Sequence, residues 1–195
     1  MNTQNNEPRE KPILFSAPMV LAILEGRKKV TRRVLIDGER LESIFPSDYS
    51  ESEAMVELNN LKLGLSWWAR CPYGKPGDRL WVREAHFLNG RDPGCEVIYR
   101  ADPLPCWEGE EQEIRWRPSI HMHRWASRIL LEVTEVRVER LQDISEDQAQ
   151  AEGAYTDPAC PAYDAFAQLW QSINGAGSWE SNPWVWVVDF KRIQP

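Results

Sequence analysis

The chain has 195 residues, 42% of them hydrophobic, and a formal net charge of −7. That length fits one domain with a sizeable core. No apolar run reaches the roughly 18–20 residues that span a bilayer, and Met1–Lys11 lacks the apolar stretch of a signal peptide.

The expectation is therefore a cytoplasmic protein with no membrane partner. Cys71, Cys95, Cys106 and Cys160 contain no C-x-x-C pair, so ordinary thiols are favoured over a zinc ribbon. The negative charge is concentrated. Residues 36–60 hold seven acids against Arg40, a net of −6, which leaves −1 for the rest. Within that remainder Arg27-Lys28-Lys29-Val30-Thr31-Arg32-Arg33 has five bases in seven residues. A local basic surface follows, too narrow for duplex DNA.

In chain order, residues 1–11 read as a disordered N-terminus. Pro12–Phe15 reads as a short strand. Ser16 is a good helix N-cap and Pro18 suits a first turn, with Val20, Leu21, Ile23 and Leu24 as the apolar stripe and Gly26 as the stop. Residues 36–76 read as an irregular acidic insertion, peripheral to the core. Arg79–Glu84 and Cys95–Arg100 are strands, with a loop insertion at 102–119. Arg128–Leu141 is β-rich with imperfect alternation, which predicts a bulge. Ser145-Glu146-Asp147-Gln148 is a capping box opening a helix that ends near Gly153. Pro161 opens a second helix with Phe166, Leu169, Trp170 and Ile173 on one face. Trp184–Ile193 alternates as a core strand. Few strands, one early helix, two late helices and no βαβ repetition predict a mixed α/β domain over residues 12–195, arranged as a small β-barrel with flanking helices.

Glu25–Arg33 resembles the signature of the ASCH family, G-x-K-x-x-E-x-R. Gly26, Lys28 and Arg33 match, and Thr31 stands where the pattern has Glu. The Gly77-Asp78 turn, the long strand and the closing Trp186–Phe190 strand follow in family order, over roughly residues 12–193. Phage and prophage genomes encode many family members of this longer type. The resemblance implies a PUA-like barrel that binds RNA or nucleotides. A compact bacterial branch, an amidohydrolase acting on N4-acetylcytidine, is similar at Thr31 too. Its Lys, Thr and Glu trio implies catalytic roles here for Lys28, Thr31 and Glu152, although Glu146 lies on the same helix. The two insertions are absent from that branch.

The chemistry of those residue types is consistent with the resemblance. A Thr hydroxyl needs a neighbouring base to act as a nucleophile. A free Lys, with a pKa near ~10.4, is mostly protonated at neutral pH, and lowering it to neutrality takes about 4 kcal/mol. Burial or adjacent positive charge supplies that shift. The alternative for the same residues is a phosphate-binding Lys28 and an ordinary strand Thr31.

Other candidates for a substrate-binding pocket, beside Gly26 and Arg33, are aromatic or charged. Arg115-Trp116-Arg117 and Trp125 with Arg128 combine base stacking with phosphate pairing. Trp81, Arg83 and Glu84 sit on a strand after a turn, with Trp81 and Arg83 sharing a face. His121-Met122-His123 would put two imidazoles on one strand face, but His86 is distant in sequence, so neither a metal site nor a cofactor is expected. The expected partners are a nucleoside, a nucleotide or short single-stranded RNA. Three functions remain open: deacylation of N4-acylcytidine-type nucleosides, non-catalytic binding of RNA or another single strand, and a phage accessory role in which the acidic insertion binds a host partner. An enzyme needs a desolvated Lys28; a binding module needs it charged and exposed.

Overall fold

The computed structural model describes residues 7–35, 44–50, 53–60, 64–90, 93–103, 114–154 and 160–193, with backbone alone at 44–48 and Asn60. The central sheet has five strands: β1 (Glu10–Leu14), β2 (Val30–Val34), β6 (Arg79–Arg83), β9 (Leu130–Arg140) and β10 (Trp184–Ile193). Their order is β1-β6-β9-β10-β2. β1 runs parallel to β6, and the other pairs are antiparallel.

β10 is long and interior to the sheet, and both its faces are apolar. Trp186, Val188 and Phe190 enter one core cluster, and Val185 and Val187 enter the other. Each fully buried side chain of this kind stabilises the fold by about 1.5–3 kcal/mol. The expected bulge lies in β9: Asp189 faces Glu135 and Phe190 faces Val133, which leaves Thr134 as the extra residue.

The first cluster is covered by α1 (Ala17–Leu24), whose Val20 and Ile23 it buries. Ser16 has the extended backbone of an N-cap, but its side chain makes no capping bond. The second cluster is covered by α2 (Glu146–Ala151) and α3 (Ala162–Asn174). The predicted capping box is present: Ser145 accepts from the Gln148 N–H, and the Gln148 side chain accepts from the Ser145 N–H. α3 buries Phe166 and Trp170 but leaves Ile173 53% exposed.

Three sequence expectations are corrected here. No closed barrel forms. β1 and β2 end the sheet, α1 runs between them, and among the described residues no ladder joins them. The seam is crossed instead by the Arg33 side chain, which donates to the Leu14 carbonyl at 2.8 Å. The fold is mixed α/β with open sheets. Second, residues 36–76 are not an irregular peripheral insertion. β3 (Ile44–Ser50), β4 (Met55–Asn60) and β5 (Leu65–Arg70) form an antiparallel sheet. Val56 and Leu58, alternate residues of β4, and Ala54 just before it form an apolar stripe among the acids and are buried in the first cluster. Third, Glu10 and Lys11, assigned to a disordered N-terminus, are ladder residues of β1 opposite Arg79 and Leu80.

The remaining strands, β7 (His86–Asn89) and β8 (Glu96–Tyr99), form a hairpin. Most of the 102–119 loop, residues 104–113, lies outside the described residues. No helix among the described residues is long and apolar enough to cross a membrane.

Candidate functional site

The run Arg27–Arg33 does not stay on the surface. Helix α1 stops at Gly26, whose φ of +75° suits glycine, and the chain turns into β2. Lys28 enters the interior on that turn, with its side chain 0% exposed. Its ammonium donates to the Val30 carbonyl at 2.9 Å, the Glu152 carbonyl at 2.8 Å and Glu152 Oε2 at 2.7 Å. Glu152 is the C-cap of α2, and the following Gly153 allows the close approach. A Cβ at Gly153 would meet the Lys28 Cβ at 2.9 Å and the Ala22 Cβ at 2.8 Å. Burial pushes the Lys28 pKa below its ordinary value. Glu152 opposes that shift, and the charges of Arg33 and Arg32 add to it.

Arg32, not singled out by the sequence, completes the group. It shares a face of β2 with Val30 and Val34, and its side chain is 0% exposed. It reaches Glu152 Oε1 at 3.2 Å, Glu139 Oε2 at 3.2 Å and the Gln148 side chain at 3.0 Å. Its Nε has no hydrogen-bond partner. Glu152 thus takes one cation on each oxygen. Thr31 is buried in β2 opposite Val188, and alternation puts it on the other strand face from Arg32.

Two neighbouring hollows lie at this group. A cleft of about 560 Å³ is lined by β1 residues, Phe15, Ser16, Tyr73, Arg83 and Ser119. A recess of about 50 Å³ is lined by Arg32, Glu152, Val34, Phe166, Leu169 and Trp170. Met19, Arg33 and Ile173 line both. The Arg33 guanidinium and the Lys28 ammonium each lie 5.5 Å from the centre of the Phe15 ring.

The remaining sequence candidates separate. Arg83 lines the cleft, lies 5.0 Å from the Trp81 ring and donates to the Met122 carbonyl. Trp81 is half-buried beneath it. Gly26 lines a separate hollow with Arg27, Lys29 and Asp147. Glu84 and Arg128 form a two-point ion pair at 3.0 and 3.1 Å that lines neither hollow. Trp116 is half-buried, and Trp125 is 41% exposed and stacked on His123; neither lines the cleft. His121 and His123 are exposed and not on a strand: His121 ends one 3-10 turn, after Pro118, and His123 caps the start of the next. Among the described residues no three metal donors converge.

No known protein family matches the chain, and no curated protein matches it. One solved structure is similar over 98% of this chain and 83% of its own: protein EF3133 from Enterococcus faecalis V583, of the family DUF984, at 12% identity and a TM-score of 0.44.

Proposed function

We propose that the chain is an ASCH-like amidohydrolase that removes a short acyl group from an N4-acylcytidine-type nucleoside. The observation that carries this reading is the desolvated Lys28–Glu152 pair, with Glu152 lining a recess that shares Met19, Arg33 and Ile173 with a nucleoside-sized cleft. Small-molecule sites are typically about 300–1,000 Å³, and the cleft falls within that range.

In the proposed reaction neutral Lys28 takes the Thr31 hydroxyl proton, and Oγ attacks the acyl carbon. The C–N bond breaks as the Lys28 ammonium returns a proton to the exocyclic nitrogen. Water then hydrolyses the threonyl ester, releasing a carboxylate and restoring the hydroxyl. Glu152 holds Lys28 in place, and Arg32 holds Glu152.

The test is incubation with N4-acylated cytidines, read by mass spectrometry, beside Lys28→Met and Thr31→Val. The wild type is expected to release cytidine, and each variant to lose at least about 100-fold, the lower range for a missing acid–base group. No turnover of any acylcytidine by the wild type, or full activity in either folded variant, would overturn the reading.

A further inference from the structure

The recess has three physical features that together specify a ligand. Its polar end carries unspent donor capacity: the Arg32 side chain is 0% exposed and its Nε–H has no partner. A buried donor left unpaired is costly, and an incoming acceptor would recover that cost.

While Lys28 is protonated, Lys28 and Arg32 are matched by Glu152 and Glu139, and Arg137, which also touches Glu139, has partners in Asp189 and Glu135. The excess cation is Arg33. Its partners among the described residues are the Leu14 carbonyl and the Phe15 ring, with no carboxylate. The remaining walls are Met19, Val34, Phe166, Leu169, Trp170 and Ile173, with Asn174 as the polar exception.

Size decides the rest. A cavity needs about 10–15 Å³ of such volume per water, so a recess of about 50 Å³ takes roughly three to five water-sized groups. Formate and acetate fit that space, and a butyrate chain does not.

We infer that the recess is a subsite for a short monocarboxylate, with its oxygen on Arg32 Nε, its charge balanced by Arg33 and its carbon end against Phe166 and Leu169. As a statement about substrate it rests on the hydrolase reading, which releases such an acid; Thr31 lines neither hollow, so the recess would hold the released acid and not the bond being cut. Binding of the free acid does not depend on that reading.

The test titrates the full chain with sodium formate, acetate, butyrate and chloride at constant ionic strength. Tryptophan fluorescence and thermal melting are the readouts. Acetate and formate are expected to bind saturably, at least tenfold more tightly than butyrate or chloride. Arg32→Lys, which removes the free Nε–H, is expected to weaken acetate at least tenfold.

If Arg32→Lys does not fold, Ile173→Trp decides. Ile173 is 53% exposed, so the larger ring blocks the recess with little cost to the core, and acetate binding should again fall at least tenfold. Equal binding of chloride or butyrate, or unchanged acetate binding in the folded variants, would overturn the subsite. Acetate binding without turnover of any acylcytidine would sink the hydrolase reading and leave the subsite standing.

Discussion

Two buried carboxylates, Glu152 and Glu84, are set among cations in different ways. Glu152 sits between Lys28 and Arg32, both fully enclosed, and the group borders a cavity. Glu84 is 2% exposed and pairs with Arg128, whose side chain is 24% exposed. Arg128 is held further by Asp102 at 2.6 Å and by the Tyr99 ring at 3.9 Å from its centre. In that second group one cation serves two carboxylates, and the group lines neither the cleft nor the recess. Burial perturbs both: it pushes Lys28 down and Glu84 up, with Arg128 opposing the shift at Glu84. A perturbed, buried charge is therefore a poor sign of function by itself. What distinguishes the first group is spare donor capacity beside an empty volume.

Removing each carboxylate breaks this comparison most directly. Glu152→Ala strands two enclosed cations and is expected to cost about 3–5 kcal/mol, as for other broken buried pairs. Glu84→Ala leaves Arg128 with Asp102 and partial access to water, and is expected to cost roughly 1–3 kcal/mol. Urea denaturation of the two variants measures the difference. Equal losses would mean that Lys28 and Arg32 find other partners, and that the recess group is no more constrained than the Glu84 group.

How much of this was readable in the sequence follows from the range of each signal. Local signals carried well: the α1 stop at Gly26, the Ser145 capping box, the β9 bulge and the alternation of β10. The identities of Lys28 and Glu152 came from a resemblance, and the structure brings them to 2.7 Å across 124 positions. Arg32 was missed because a base in a basic run resembles surface; only its register with Val30 and Val34 on β2 marked it as inward. Barrel closure failed because no local pattern states whether β1 and β2 meet, and Arg33 bridges the seam with a side chain. The 36–76 segment failed because its acids outweigh a stripe only as long as Ala54, Val56 and Leu58.

The second group also holds His86, which sharpens the contrast through pH. His86 is 0% exposed; its Nδ1 lies 3.2 Å from the Glu84 carbonyl and its Nε2 has no partner. Burial pushes its pKa below the ordinary 6.5, with the charges of Arg117, His123 and His121 acting the same way and the Glu84 carbonyl opposing. The unfolded chain therefore binds this proton first as pH falls. Stability present above 6.5 should drop by about 1.4 kcal/mol per pH unit from there to the lowered value, then level off. His86→Asn should flatten that part of the urea-midpoint profile relative to wild type. An unchanged slope would place the acid sensitivity elsewhere.

The smallest effect concerns Cys71, a third buried titratable group, which borders neither hollow. It lies just after β5, its N–H donates to the Ala54 carbonyl, and it is 0% exposed in the first core cluster. Burial raises its thiol to about 11. At pH 8 that leaves roughly one thiolate in a thousand, against about a quarter for a free cysteine, and the thiolate is the species that alkylates. Cys95 and Cys160 are partly accessible. Iodoacetamide at pH 8, followed by peptide mapping, should label those two within an hour and leave Cys71 unmodified until urea is added. Stability should be unaffected by the labelling, because neither modified thiol belongs to a core cluster. Labelling of Cys71 at a comparable rate would show that the β5 end opens under native conditions. The acidic sheet would then contribute less to the core than the burial of Val56 and Leu58 implies.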